Sequence, residues 1–160
     1  MRFELIDRIV ELTRGQRIVA IKAVSRAEEY LADHFPTFPV LPGVFMLETL
    51  TEAAAWLVRE AHDFTIHACL LREAKNVVFK SFVRPGHLLR VEVLCRRLAR
   101  GESDFEGTGY CNQEEVVKAR FGLTHLDFVE RNNASAAQDG AGLAAEAKRR
   151  FVGLRSSDKE

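Results

Sequence analysis

Residues 43–60, GVFMLETLTEAAAWLVRE, are apolar nearly all the way round four helical turns. A helix with no wet face has to be enclosed by the rest of its chain. Its only charges before Arg59 are Glu48 and Glu52, four residues apart and therefore on one face. The material for the wrapping is also present. Residues 16–24 are aliphatic and β-branched, follow the turn signal Arg14-Gly15, and pair with 9–13 as a hairpin. Residues 68–80 read as a strand interrupted by charges. After the Pro85-Gly86 turn, Leu89, Val91, Val93 and Cys95 alternate with Arg90, Glu92 and Arg96. Phe105, Gly107, Gly109 and Cys111 alternate with Asp104, Glu106, Thr108 and Tyr110. Beyond a turn at Asn112-Gln113, Val117, Ala119, Phe121 and Leu123 alternate with Lys118, Arg120 and Thr124. Successive strands with one wet face and short connections make an antiparallel meander. The expected class is α+β, a curved antiparallel sheet wrapped around one long central helix.

Composition narrows the rest. The 160 residues, 47% of them hydrophobic, suffice for one core, and the pattern changes character only near residue 130. We expect one domain over 1–128 and a tail over 129–160, comprising a linker, a short helix at about 143–151 and a partly disordered end. Twenty-three basic residues balance twenty-three acidic ones, so the broad positive field of a generic nucleic-acid binder is absent. No uncharged run approaches the roughly 18 residues of a membrane span, and the first residues mix acids into a short apolar stretch, unlike a signal peptide. The expectation is a cytoplasmic protein. Cys69, Cys95 and Cys111 form no CxxC pair, and the five histidines (His34, His62, His67, His87 and His125) show no HExxH-like spacing. Neither a disulfide framework nor a metal site is expected.

Chemistry concentrates just before the central helix. Three of the four prolines fall at a strict spacing of three in HFPTFPVLPG, residues 34–43. Each fixes its own φ and pushes the preceding residue, Phe35, Phe38 or Leu41, towards extended geometry, which predicts a stiff strut from His34 to the helix start. Pro42 suits an early helical position, and Gly43 lets another group approach the backbone closely. Unpaired N–H groups and the positive end of the helix dipole lie there, suited to a developing oxyanion. Taken singly, His34 reads as a packed ring and Glu48 as a structural hydrogen-bond partner. Together with the Gly43 donors they supply a base, an acid and an enolate stabiliser for proton abstraction beside a carbonyl.

The run HFPTFPVLPGVFMLE, from His34 to Glu48, resembles the signature of the 3-hydroxyacyl-acyl-carrier-protein dehydratases, approximately GHFPxxPxxPGVxxxE. Residues 3–24 are similar to the family's opening segment. Residues 74–124, with KNVVF at 75–79, Pro85-Gly86, Phe105-Glu106-Gly107 and Val117-Lys118-Ala119, are similar to its strand region. The resemblance covers about residues 3–125. It implies a hotdog fold and, in each site, His34 and Glu48 contributed by opposite protomers of a homodimer, with a trimer of dimers as a further assembly. It implies elimination of water from a (3R)-3-hydroxyacyl thioester on an acyl carrier protein, giving the trans-2-enoyl thioester in fatty-acid or related lipid synthesis, without metal or cofactor. The Gly43 N–H would hold the thioester carbonyl. A glutamate at position 48 resembles the dehydrating rather than the isomerising branch.

Several positions depart from the pattern. Asp33 replaces a glycine before the histidine and places a carboxylate beside the base, able to anchor its ring. Glu52 stands where the family commonly has glutamine. Two carboxylates on one buried face suggest a shared proton that keeps Glu48 in its acid form. Pro85-Gly86-His87 and Lys80-Ser81-Phe82 also differ. Phe79 and Phe82 are candidates for an acyl tunnel, and Trp56 with the alanines at 53–55 reads as helix packing against a partner or that tunnel. Arg96, Arg97, Arg100, Lys80 and Arg84 are candidates for a basic rim that attracts an acidic carrier. The alternatives are a hotdog thioesterase, an enoyl hydratase, or a non-catalytic acyl-thioester-binding subunit.

Overall fold

The computed structural model describes residues 4–35, 37–126 and 134–155. Six strands, β1 (Arg8–Thr13), β2 (Arg17–Ala23), β3 (Ala68–Phe79), β4 (Leu88–Ala99), β5 (Glu102–Cys111) and β6 (Glu114–Leu126), form one antiparallel sheet in the order β1-β2-β4-β5-β6-β3. A four-residue helix, α1 (Tyr30–Asp33), precedes the long central helix α2 (Gly43–Ala61), and α3 (Ala134–Arg155) ends the described chain. This is the hotdog arrangement that the resemblance implies.

The expected alternation sets the sheet's inner face. Along β5 every second residue is buried, from Ser103 to Cys111. Leu50, Ala53, Ala54, Leu57 and Val58 of α2 pack into this concave face with at most 1% exposure. Contact is close because Gly107 offers no side chain: a Cβ there would lie 2.9 Å from the Leu50 Cδ2 and 3.1 Å from the Phe121 ring. The charges that interrupt residues 68–80 coincide with two irregularities in the β3–β6 register, between Leu71 and Glu73 and between Lys75 and Val78. β3 is an edge strand, and Leu70, Leu71, Val78 and Phe79 are exposed along it.

The C-terminal helix differs from the expected short segment at 143–151. It runs for 22 residues, because its alanine-rich sequence propagates helix in both directions from the apolar core of that segment. It also docks: Phe151 is buried, with its ring 6.1 Å from Trp56 and 5.2 Å from Phe64. The linker expected from about residue 130 up to that segment is instead helical from Ala134, while residues 127–133 and the expected frayed end at 156–160 lie outside the described residues. Among the described residues no helix is long and apolar enough to cross a membrane.

Candidate active site

His34 caps the C-terminus of α1, and its Nδ1 lies 3.1 Å from the Val40 carbonyl oxygen. A carbonyl only accepts, so Nδ1 carries the hydrogen and donates it. The lone pair of Nε2 is thereby left to take up a proton. The Phe35 ring packs 4.4 Å from the imidazole.

The segment between His34 and α2 is not the extended strut that the prolines predict. Phe35 has a left-handed backbone, φ 54°, and the Phe38 N–H donates to the Phe35 carbonyl at 2.8 Å. The first part is therefore a tight turn, and a bulky residue in that region of φ stores local strain. This turn brings the Val40 carbonyl back to the His34 ring. The second part is anchored: Val40 and Leu41 are buried, and the Leu41 N–H donates to the Val83 carbonyl at 2.8 Å.

Pro42 is the N-cap of α2 rather than a residue within it, and Gly43 opens the helix. The Phe45 and Met46 amides both return to the Pro42 carbonyl, so the Gly43 and Val44 amides lie beyond the reach of the helix's own carbonyls. Phe79 already fills part of the space beside Gly43, where a Cβ would meet its ring at 3.3 Å.

Glu48, one and a half turns further on, lines a cavity of about 560 Å³ together with Glu52, Trp56 and Arg59 of α2. Its side chain is reachable from that cavity, yet enough protein surrounds it to raise the carboxyl pKa through desolvation. Burial also raises Glu52, partly offset by the Leu5 N–H, which donates to it at 2.8 Å, and by nearby Arg150. The buried Trp56 indole N–H favours the charged form of Glu52 slightly without making a hydrogen bond of normal geometry. Glu48 acts on Glu52 only as a lesser influence that raises it, and no hydrogen bond joins the two carboxyls among the described residues. The expected shared proton is thus replaced by coupling through the field, because the Leu5 amide engages Glu52.

His34 does not line the cavity that holds Glu48. Phe79 and Phe82 do not line it either. Phe82 sits on the His34 side, its ring edge-on to Phe38 at 6.1 Å. Trp56 lines the cavity, whose opposite wall is α3 through Leu143, Ala147 and Arg150. The Asp33 side chain lies outside the described residues.

The five basic candidates do not form one rim. Lys80 is tied to the start of β6 by its N–H bond to Val116, whereas Arg100 adjoins the turn that meets the end of β6 through His125 N–H and Gly101. The two groups stand on the order of 30 Å apart, the length of nine strand residues. Arg96 pairs with Glu106 at 2.7 Å, and Arg97 with Asp104 at 2.7 Å and Glu102 at 2.6 Å, so these charges are largely answered. Lys80 pairs with Glu115 at 2.7 Å. Arg84 lies 4.4 Å from the Phe38 ring and has no carboxylate within salt-bridge distance among the described residues. Arg59 and Arg150 were not among the sequence candidates. The three-residue spacing of Trp56 and Arg59 on one helix was a usable signal for the first, while Arg150 had none. Among the described residues no three His, Cys, Asp or Glu side chains converge as a metal site would require.

Comparison with known proteins agrees with this geometry. A family model described as a FabA-like domain matches residues 1–120. The chain is 40% identical over 116 residues to a protein of Geobacillus thermodenitrificans named 3-hydroxyacyl-acyl-carrier-protein dehydratase FabZ, covering 72% of this chain and 80% of the relative. It is 37% identical over 123 residues to a protein of the same name from Granulibacter bethesdensis, covering 74% and 71%. Among solved structures, the dehydratase heterocomplex ApeI:P of Xenorhabdus doucetiae shares the fold, with a TM-score of 0.65 at 18% identity over 79% of this chain and 86% of that one. A histidine oriented by a main-chain carbonyl, a carboxyl whose pKa desolvation raises and these relatives lead to one assignment: the chain belongs to the 3-hydroxyacyl-acyl-carrier-protein dehydratase family.

Proposed function

We propose that the chain dehydrates (3R)-3-hydroxyacyl thioesters of an acyl carrier protein as a homodimer, with His34 of one protomer and Glu48 of the other completing each site. The observation that carries this reading is the Nδ1–Val40 bond of His34, which orients the ring outside the cavity that holds Glu48 of its own chain. The exposed apolar edge of β3 supports the pairing, since an unpaired edge lined by Leu70, Leu71 and Val78 favours association with a second copy.

In the reaction, the thioester carbonyl oxygen accepts from the Gly43 N–H at the positive end of α2, which acidifies the C2 proton. His34 Nε2 removes that proton. As the C2–C3 double bond forms, the C3–O bond breaks, and Glu48, whose carboxyl pKa desolvation raises, gives a proton to the departing hydroxyl. Water and the trans-2-enoyl thioester leave. The proton on His34 returns to Glu48 through solvent and resets both groups. Arg84, exposed beside Phe38 on the His34 side, is the basic residue best placed to meet an acidic carrier.

Enoyl formation followed by ultraviolet absorbance tests the assignment. His34→Ala and Glu48→Gln should each lose about 10²–10⁴-fold in rate, the usual contribution of a positioned acid or base. Mixing the two inactive variants should restore about a quarter of wild-type activity, because half of the dimers are mixed and each carries one intact site. Undiminished rates in the single variants, or release of free thiol in place of enoyl product, would reject the dehydratase reading. No recovery on mixing would reject the shared site.

A further inference from the structure

The cavity that holds Glu48 continues along α2 to Arg59, eleven residues and about 16 Å further. Its far end is not hydrocarbon-like. The Arg59 guanidinium lies 5.2 Å from the Trp56 ring and makes one long hydrogen bond, 3.4 Å, to the His67 carbonyl. Among the described residues no carboxylate stands within salt-bridge distance of it. Its neighbour Glu60 pairs with Arg14, and Glu146, which shares the cavity, stays out of pairing range. A second guanidinium, that of Arg150 on α3, lies 5.7 Å from the same ring and pairs with Glu4 at 3.0 Å. The family model's match ends at residue 120, before α3 begins at Ala134.

A guanidinium only donates hydrogen bonds. A saturated chain pressed against Arg59 would strip its water and return nothing, which is unfavourable for any buried charge. A chain bearing an acceptor would complete the donors, and a carboxylate would do so through a bidentate pair. We propose that this cavity selects 3-hydroxyacyl groups carrying an anionic or acceptor group at the far end, held by Arg59 against Trp56, over simple saturated chains of equal length. The inference rests on the dehydratase reading above, because it places the reacting end of the acyl group at Glu48.

Two 3-hydroxyacyl thioesters of equal medium length, one ending in a methyl group and one in a carboxylate, provide the test. The wild type should favour the carboxylate by tenfold or more in kcat/KM, and Arg59→Leu should bring the two to parity or reverse their order. Arg150→Leu, on the α3 wall of the cavity, supplies a second variant and should narrow the ratio. Trp56 is the chain's single tryptophan, so its fluorescence reports binding independently of turnover. In Glu48→Gln the carboxylate-ended thioester should perturb it at lower concentration than the methyl-ended one. Equal kcat/KM for the two substrates in the wild type, or an unchanged ratio in folded Arg59→Leu, overturns the proposal. If neither thioester is dehydrated by the wild type, the dehydratase reading fails. In that case the fluorescence preference, present or absent, decides the recognition site by itself.

Discussion

His125 on β6 offers a quantitative check on the packing at the far end of α2. Its residue is 6% exposed, its Nε2 lies 2.7 Å from the Ser103 hydroxyl, and its ring is 5.8 Å from His62. Nδ1 is buried with no hydrogen-bond partner. Burial pushes its pKa down to about 4, with the neighbouring His62 adding to the effect and Glu102 opposing it. In the unfolded chain the ring titrates near 6.5. Between those two values the unfolded state binds more protons, so the contribution to stability is present above about pH 6.5 and is lost as the pH falls through the window. Linkage over that interval makes the folded state about 2 kcal/mol less stable at pH 5.0 than at pH 7.5 through this one group. Urea unfolding of the wild type and of His125→Gln at both pH values isolates it. Carboxyls such as Glu48 and Glu52 titrate alike in both proteins and cancel. The wild type should lose about 2 kcal/mol more than the variant on acidification. Parallel losses in the two proteins would refute the claim that a neutral, desolvated His125 is built into the fold.

Two further outcomes follow from the same contacts. Gly107→Ala places a methyl group 2.9 Å from Leu50, which is fully buried and has no room to retreat, so the variant should be about 1–3 kcal/mol less stable in urea denaturation. Glu52→Gln removes a negative charge beside Glu48 while keeping an acceptor for the Leu5 N–H. Glu48 should then lose its proton more readily, and the alkaline limb of the pH–rate profile should move to lower pH.

What the sequence revealed and what it concealed divide along physical lines. The burial alternation in β5 and the all-round apolar character of α2 are local patterns, and both appear in the structure where the periodicity puts them. The turn at Phe35 is different. Proline statistics favour an extended residue there, and the folded chain overrides that preference because Leu41 is anchored to Val83 and the Val40 carbonyl reaches His34. The docking of α3 centres on Phe151, whose ring meets Trp56 and Phe64 across some ninety residues that no local window spans. The arginines of β4 were candidates for a basic rim, although the hairpin turn at Gly101 sets Arg97 opposite Asp104. Counting outward from that turn would have shown Arg97 to be paired.

The partner of His34 has a consequence for how the site tolerates change. The group that orients the His34 ring is a main-chain carbonyl, which every amino acid possesses, so no single side-chain replacement at position 40 deletes it. Many enzymes orient a histidine through a carboxylate, and one codon change can silence them. Here the orientation is lost only if the backbone itself moves, and the Leu41–Val83 hydrogen bond, between two further main-chain groups, holds it in place. Mutational sensitivity should therefore fall on the shape of the turn and the packing beneath it, leaving the identity of its side chains comparatively free to drift.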